Sequence, residues 1–299
     1  MTDTCIRRAW LTLGALSLDL EDASAGYFCT SFDLGAPTVR EVTSSFPDAD
    51  GVIDRTKYMG ARAVAITVSA LKGAGAVIDA VASSFAPFMV PSARPTLHWI
   101  LDRPGTPERT LVVRAHAYDY VVTGDSQRDM NLQFVAADPV ARAPASQTVT
   151  AWAGASGASG RTYNLTFNRT YPGGGGSPAS GIVISHGDVP VAPYVRIYGP
   201  IAGAVVTFVT TGPPALTYRL ALLSSYRIDA GHFVGIDCKL HTAWLDDDHS
   251  QSVLSQIDWS AQAWPVLPVA PDQSVMSLAG TSTTGISQAQ CTWQDGFLS

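Results

Sequence analysis

Short runs in which apolar and polar residues alternate dominate this chain, and runs of helical period are scarce. Over residues 61–68, Ala63, Ala65 and Thr67 fall on one side and Val64, Ile66 and Val68 on the other, the period of a half-buried strand. Residues 10–20, 26–34, 97–101, 110–117 and 131–135 read as further strands, and Thr38 to Thr43 alternate cleanly. One segment changes period: Val77, Ile78, Val81 and Phe85 recur at helical spacing before Pro87, which predicts a helix over 74–85 that covers a sheet. The second half has almost no helical period. Residues 161–170, 181–185, 194–198, 204–211, 216–223, 233–240, 274–278 and 289–293 are short strand-like runs separated by turn chemistry, the rhythm of a sandwich or jelly roll.

Between these halves the pattern lapses. Phe134 and Val135 end a strand that Asp138-Pro139 stops, because proline donates no ladder hydrogen bond and restricts the residue before it. Small residues then run to Gly160, with Val149 and Trp152 as the sizeable apolar anchors. The expectation is a mainly β protein of two domains: a β-rich domain with one helix at 1–143, a flexible joint at 144–160, and a β-sandwich at 161–299.

Composition narrows the classes. In 299 residues, 46% are hydrophobic and 15% charged, with 26 Gly and 19 Pro, so the chain is globular, turn-rich and sparing with surface charge. A net charge of −6, with Lys57, Lys72 and Lys239 as the lysines, argues against a general phosphate-binding surface. Cys5, Cys29, Cys238 and Cys291 form no CxxC pair, so neither a zinc site nor a dense disulfide framework is encoded. The first residues do not read as a signal peptide, and no apolar run reaches the ~20 residues of a membrane span. The expectation is a protein made and kept in a soluble, reducing compartment.

The candidate chemistry is thin. Asp246-Asp247-Asp248-His249 is the densest acidic cluster, but it lacks the alternating ligands and turn glycine of a calcium loop and reads as a solvated hairpin tip. The six histidines, His98, His116, His186, His232, His241 and His249, show no HxH or HExxH spacing. Gly173 to Gly176 are followed by Ser177-Pro178 rather than by the Lys and Ser or Thr of a phosphate-binding loop. Residues 154–158 resemble a nucleophile elbow only superficially, and nothing local activates Cys29 or Cys291. No catalytic, metal or cofactor residues are assigned, and an enzyme is not expected. Trp244, Trp259 and Trp264 form the alternative, a carbohydrate-binding module that contacts host cell-wall polysaccharide.

Several stretches in combination resemble the distal tail proteins of long-tailed bacteriophages, also called siphophage tail or minor tail proteins. They are the run from Asp33 through Gly35, Pro37 and Arg40 to Val42; the run from Asp50 through Asp54 and Gly60 to Arg62; and Pro91-Ser92-Ala93-Arg94-Pro95. Phe134-Val135-Ala136-Ala137-Asp138-Pro139 looks like the family's domain junction. Asn164-Leu165-Thr166-Phe167, His186-Gly187-Asp188, Pro193-Tyr194-Val195-Arg196-Ile197-Tyr198-Gly199-Pro200, Gly235-Ile236-Asp237, Ile257-Asp258-Trp259 and Trp293-Gln294-Asp295-Gly296-Phe297 follow in the family's order. Where the family has a glycine-asparagine turn before its last strands, this chain has Ala270-Pro271-Asp272-Gln273.

The resemblance implies that Asp33, Gly35, Pro37, Arg40, Asp54, Gly60, Arg62, Asp138, Pro139, Asp188, Pro193, Gly199, Pro200 and Trp293 specify shape rather than reaction chemistry. It also implies a ring, commonly of six subunits, formed through the first domain, and a galectin-like second domain that projects outward. The implied partners are further copies of the chain, the major tail tube protein, a tail-tip hub or tail-associated lysin, the tape-measure protein within the channel, and receptor-binding proteins, with DNA passing unbound. The implied location is the distal end of the virion tail, after synthesis in the host cytoplasm.

Overall fold

The computed structural model describes residues 6–22, 24, 26–40, 43–45, 52–54, 58–71, 82–123, 127–153, 180–260, 263–281 and 287–298. Alternation becomes burial along Arg62–Leu71, where Val64, Ile66 and Val68 are buried and Ala63 and Ala65 are exposed or nearly so. This strand pairs antiparallel with Gln127–Ala136 on one side and Tyr27–Leu34 on the other, and Arg114–Thr123 completes a four-stranded sheet. A second sheet runs in the order Leu16–Asp19, Ile6–Leu13, Thr96–Leu101, Arg109–Val112, Ala141–Arg142, Gly296–Phe297. The buried faces of both sheets share one core, with Leu11, Trp99 and Leu97 from one and Ile66, Leu132 and Phe134 from the other. Val39–Arg40 with Tyr58–Met59 and Thr43–Ser45 with Val52–Asp54 form two short ribbons.

Two of the expected strands divide. Residues 10–20 belong to a hairpin that turns at Gly14, whose φ of +58° suits glycine, so that Leu13 pairs with Leu16. Residues 110–117 pass from one sheet to the other at buried Val113, whose N–H donates to Pro95 O. The expected helix lies mostly outside the described residues. Its last turn, 82–85, is helical and runs into a 3-10 turn, Ala86–Met89, whose first positions include Pro87. A first-turn proline withholds no needed N–H, so it begins this turn instead of lying beyond the helix.

The second core lies between two five-stranded sheets. One runs Gln147–Trp152, Gln288–Trp293, Tyr194–Tyr198, Phe233–Asp237, Thr242–Leu245; the other runs Ser180–Val183, Ser274–Thr281, Ile201–Thr210, Thr217–Ala221, with Arg227–Ile228 beside Ile201–Thr210. Val195, Ile197, Val234 and Ile236 face Val206, Phe208, Leu220 and Met276 within one apolar cluster. The described part of the chain is thus strand-rich throughout.

The chain divides into two compact units, Met1–Pro144 with Phe297–Ser299, and Ala145–Gly296. This differs from the expected boundaries in two places. The small-residue composition predicts a joint over 144–160, yet Gln147–Trp152 is an edge strand of the second unit, with Val149 packed against the core, Ala151 buried and Thr148 exposed. Its partner, Gln288–Trp293, lies far away in sequence, so no local signal marks it. Residues 297–299 belong to the first unit rather than to the second domain. Residues 154–179, with the expected strand at 161–170, the motif 164–167 and the glycine run, lie outside the described residues.

Candidate functional site

In the first unit, Arg62 gathers several of the motif positions. It starts its strand only 2% exposed, and its guanidinium donates to Gly35 O at 2.8 Å, Leu34 O at 3.2 Å, Pro139 O at 3.4 Å and Leu298 O at 2.7 Å. A buried arginine is tolerable when its fork of donors is met in this way. Gly35 is fixed for space: a Cβ there would lie 2.9 Å from Ala63 O. Arg109, also buried, stacks over the Phe297 ring at 4.5 Å.

The other positions in this unit set backbone path. Asp33 pairs with Ala65 across the sheet, and Pro37 leads into Thr38, whose carbonyl accepts from Gly60 N at 2.6 Å. The backbones of Arg40 and Asp54 pair with Tyr58 and Thr43 in the two ribbons. Asp138 accepts from Val140 N at 3.4 Å and lies 3.5 Å from Arg142. A cavity of about 500 Å3, lined mainly by Phe85, Met89, Val90, Pro91, Tyr118 and Leu132, opens beside this unit's 3-10 turn.

In the second unit the motif positions lie at close backbone approaches. Asp188 N donates to Gly296 O at 2.9 Å, and a Cβ on neighbouring Gly187 would stand 2.1 Å from that oxygen. Gly199, joined to Pro200 by a cis peptide, admits Asp229 O and Ile228 O within 2.2 and 2.5 Å of where its Cβ would be. Pro193 is buried and its carbonyl accepts from Cys238 N. Trp293 is buried, and its indole N–H has no partner among the described residues. Asp295, part of the closing motif but not one of its singled-out positions, uses both carboxylate oxygens, accepting from Gln147 Nε2 at 2.7 Å and from His186 N at 2.9 Å.

The outer face of the sheet containing Tyr194–Tyr198 carries a connected polar cluster. Strand register lines up Thr150, Gln290, Arg196, Gly235 and Trp244 in one row. Trp152, Gln288, Tyr198 and Phe233 form the next. The side-chain-free position at Gly235 leaves room for Tyr194 OH, which donates to Asp247; a Cβ would collide with both groups. Arg196 donates to the same carboxylate at 2.6 and 3.2 Å, with its guanidinium over the rings of Tyr194 and Phe233 at 5.2 and 5.5 Å. Burial, reinforced by Asp247, holds the Tyr194 phenol well above its ordinary range.

The acidic cluster is therefore not simply a solvated tip. Asp246 and Asp247 both have left-handed backbones, φ +53° and +57°, which turn their side chains to different partners. Asp246 meets His232 Nδ1 at 2.6 Å and accepts from Phe233 N, Asp247 lies over the sheet, and Asp248 accepts from Ser250 and Gln251. The His232 hydrogen bond lowers the Asp246 pKa and raises that of His232. Among the described residues no group of His, Cys, Asp and Glu forms a metal cluster. The described thiols are not activated: burial pushes Cys29 up to about 11 and holds Cys238 and Cys291 well above the ordinary thiol range.

The three tryptophans of the carbohydrate alternative do not share one surface arrangement. Trp264 packs against the core and stacks on His241 at 4.4 Å, exposed Trp259 meets it edge-on at 6.2 Å, and Trp244 contacts His249 on the sheet described above.

No protein-family model matches this sequence, and no curated protein matches it. Solved structures do match. A crystal structure of the SPP1 Dit protein, described as a paradigm of the hub adsorption apparatus in phages infecting Gram-positive bacteria, superposes with a TM-score of 0.59 at 13% identity, covering 97% of this chain and 99% of that one. A chain of the phage P2 baseplate in its activated conformation with Ca gives a TM-score of 0.42 at 6% identity, covering 95% and 97%. With its strand-rich architecture, the chain has the fold of the SPP1 Dit protein along nearly its whole length.

Proposed function

We propose that this chain is a non-enzymatic structural virion protein, a distal tail protein whose ring joins the tail tube to the tail tip or baseplate of a long-tailed phage. The observation that carries this reading is a fold likeness to SPP1 Dit that spans both chains end to end rather than one module of each. The unit holding Met1–Pro144 forms the ring, with six copies. Its surface suits that role, because Leu16, Val39, Met59, Val90, Val112 and Tyr118 are large apolar side chains left exposed there. A closed ring needs a head-to-tail interface between two different patches of one subunit. The galectin-like second unit projects outward. The partners are the tail tube protein, a tail-tip hub or tail-associated lysin, the tape-measure protein in the channel, and receptor-binding proteins; DNA passes without specific binding. The protein is made in the host cytoplasm and resides at the distal end of the tail. Native mass and electron micrographs of the full-length chain, alone and mixed with its tube protein, test the reading. Rings of about six subunits with a central hole are expected; a chain that stays monomeric under both conditions overturns it.

A further inference from the structure

The outer sheet face of the second unit carries a cluster of fixed polar and aromatic side chains that the hub reading leaves unused, and what is drawn from it does not depend on that reading. Arg196 is held in place by Asp247 and flanked by two aromatic rings, so little side-chain freedom remains to be lost on binding. Two consecutive left-handed, non-glycine residues deliver that carboxylate, an arrangement of the kind that persists where the surroundings over-determine it. Donors remain unused. Arg196 Nη1 has no protein partner among the described residues, and neither does the Gln290 amide nitrogen, whose carbonyl oxygen accepts from Tyr198 OH at 3.2 Å. Arg196 and Asp247 stay about one third accessible.

The chemistry selects among ligands. Arg196 is neutralised by Asp247, so the face offers an anion no net charge. Large exposed aliphatic side chains such as Ile182 and Val209 lie on the opposite sheet, so the apolar surface here is aromatic. What remains is planar donors and acceptors beside aromatic faces, which suits hydroxyl groups that donate and accept at once, on rings with apolar C–H faces. We propose that Tyr194, Arg196, Tyr198, Phe233, Trp244 and Gln290 form a binding face for a neutral oligosaccharide.

The test is a printed array of neutral hexose and N-acetylhexosamine oligosaccharides probed with the full-length chain, followed by calorimetry with the strongest binder. Saturable binding that changes little with salt is expected, with Kd between about 10 μM and 1 mM. Arg196→Ala and Trp244→Ala should each weaken it about tenfold or more. Gln290→Ala leaves the Arg196–Asp247 pair in place, gives up only the bond from Tyr198 OH, and should weaken binding severalfold with a small change in Tm, which separates loss of ligand contact from loss of fold. Trp259→Ala should change nothing. An array with no binder, or binding lost in Trp259→Ala and kept in Arg196→Ala, overturns the proposal. So does an Arg196→Ala chain that binds glycans normally but no longer joins other tail proteins, because the face would then belong to a protein partner.

Discussion

The two units close their cores in different ways. The second is continuous, Ala145–Gly296, and the polar side chains buried beside its apolar cluster are hydroxyls, Ser185, Thr210, Ser274 and Ser287, and one carboxylate, Asp295. The first is assembled from two separated segments and buries two arginines, one bonded to Leu298 O and the other stacked on Phe297. Apolar packing tolerates exchange of similar volumes, whereas a buried guanidinium demands each of its acceptors. Unit 1 is therefore the one whose stability depends on buried guanidinium groups and their partners.

The largest expected effects test the part the units share. Phe134→Ala and Phe208→Ala each remove a fully buried ring and should destabilise their own unit by about 3–5 kcal/mol, read as amide-exchange protection of that unit's strands. Equal loss in both units from either variant would break the division. Next comes the difference itself. A chain ending at Gly296 lacks Leu298 O for Arg62 and the Phe297 ring for Arg109, and should lose about 2–4 kcal/mol in unit 1 while unit 2 keeps its protection. An unchanged unit 1 would erase the contrast drawn here.

Gly199→Ala sharpens the comparison from the other side. The new Cβ would press on two backbone carbonyls that cannot swing away, and a loss of about 1–3 kcal/mol in unit 2 is expected by thermal or urea unfolding. The smallest effect is a pH dependence at His232–Asp246. His232 is raised, so its contribution is full below its unfolded value near 6.5 and fades as pH rises through the folded value. Asp246 is lowered, so its contribution is present above about 3.8 and fades as pH falls through the folded value. The Tm difference between native and His232→Ala chains should therefore shrink from pH 5.5 to pH 8.5; a constant difference would remove the ion pair from the account.

Much of the strand content was legible because it is written locally. Val64, Ile66 and Val68 alternate, and so do Val195 and Ile197, and both sets are buried. What escaped is what depends on distant register. Gln147–Trp152 reads as linker until Gln288–Trp293 is set beside it, and Gly296–Phe297 is too short to carry any period. Arg62, Gly35 and Pro139 were singled out by the resemblance, but their meeting at one guanidinium needs the fold. The acidic run misled for another reason: adjacent carboxylates are expected to share solvent, and two left-handed residues instead send them to different partners.

The split of unit 1 also fixes an order of events during synthesis. Every residue of Ala145–Gly296 leaves the ribosome before Phe297 and Leu298 do, so the unit that is begun first is completed last. Arg62 and Arg109 wait without these partners while the whole intervening unit is made. Unit 1 therefore stays incomplete through the synthesis of unit 2, and only a chain translated past Leu298 can complete it.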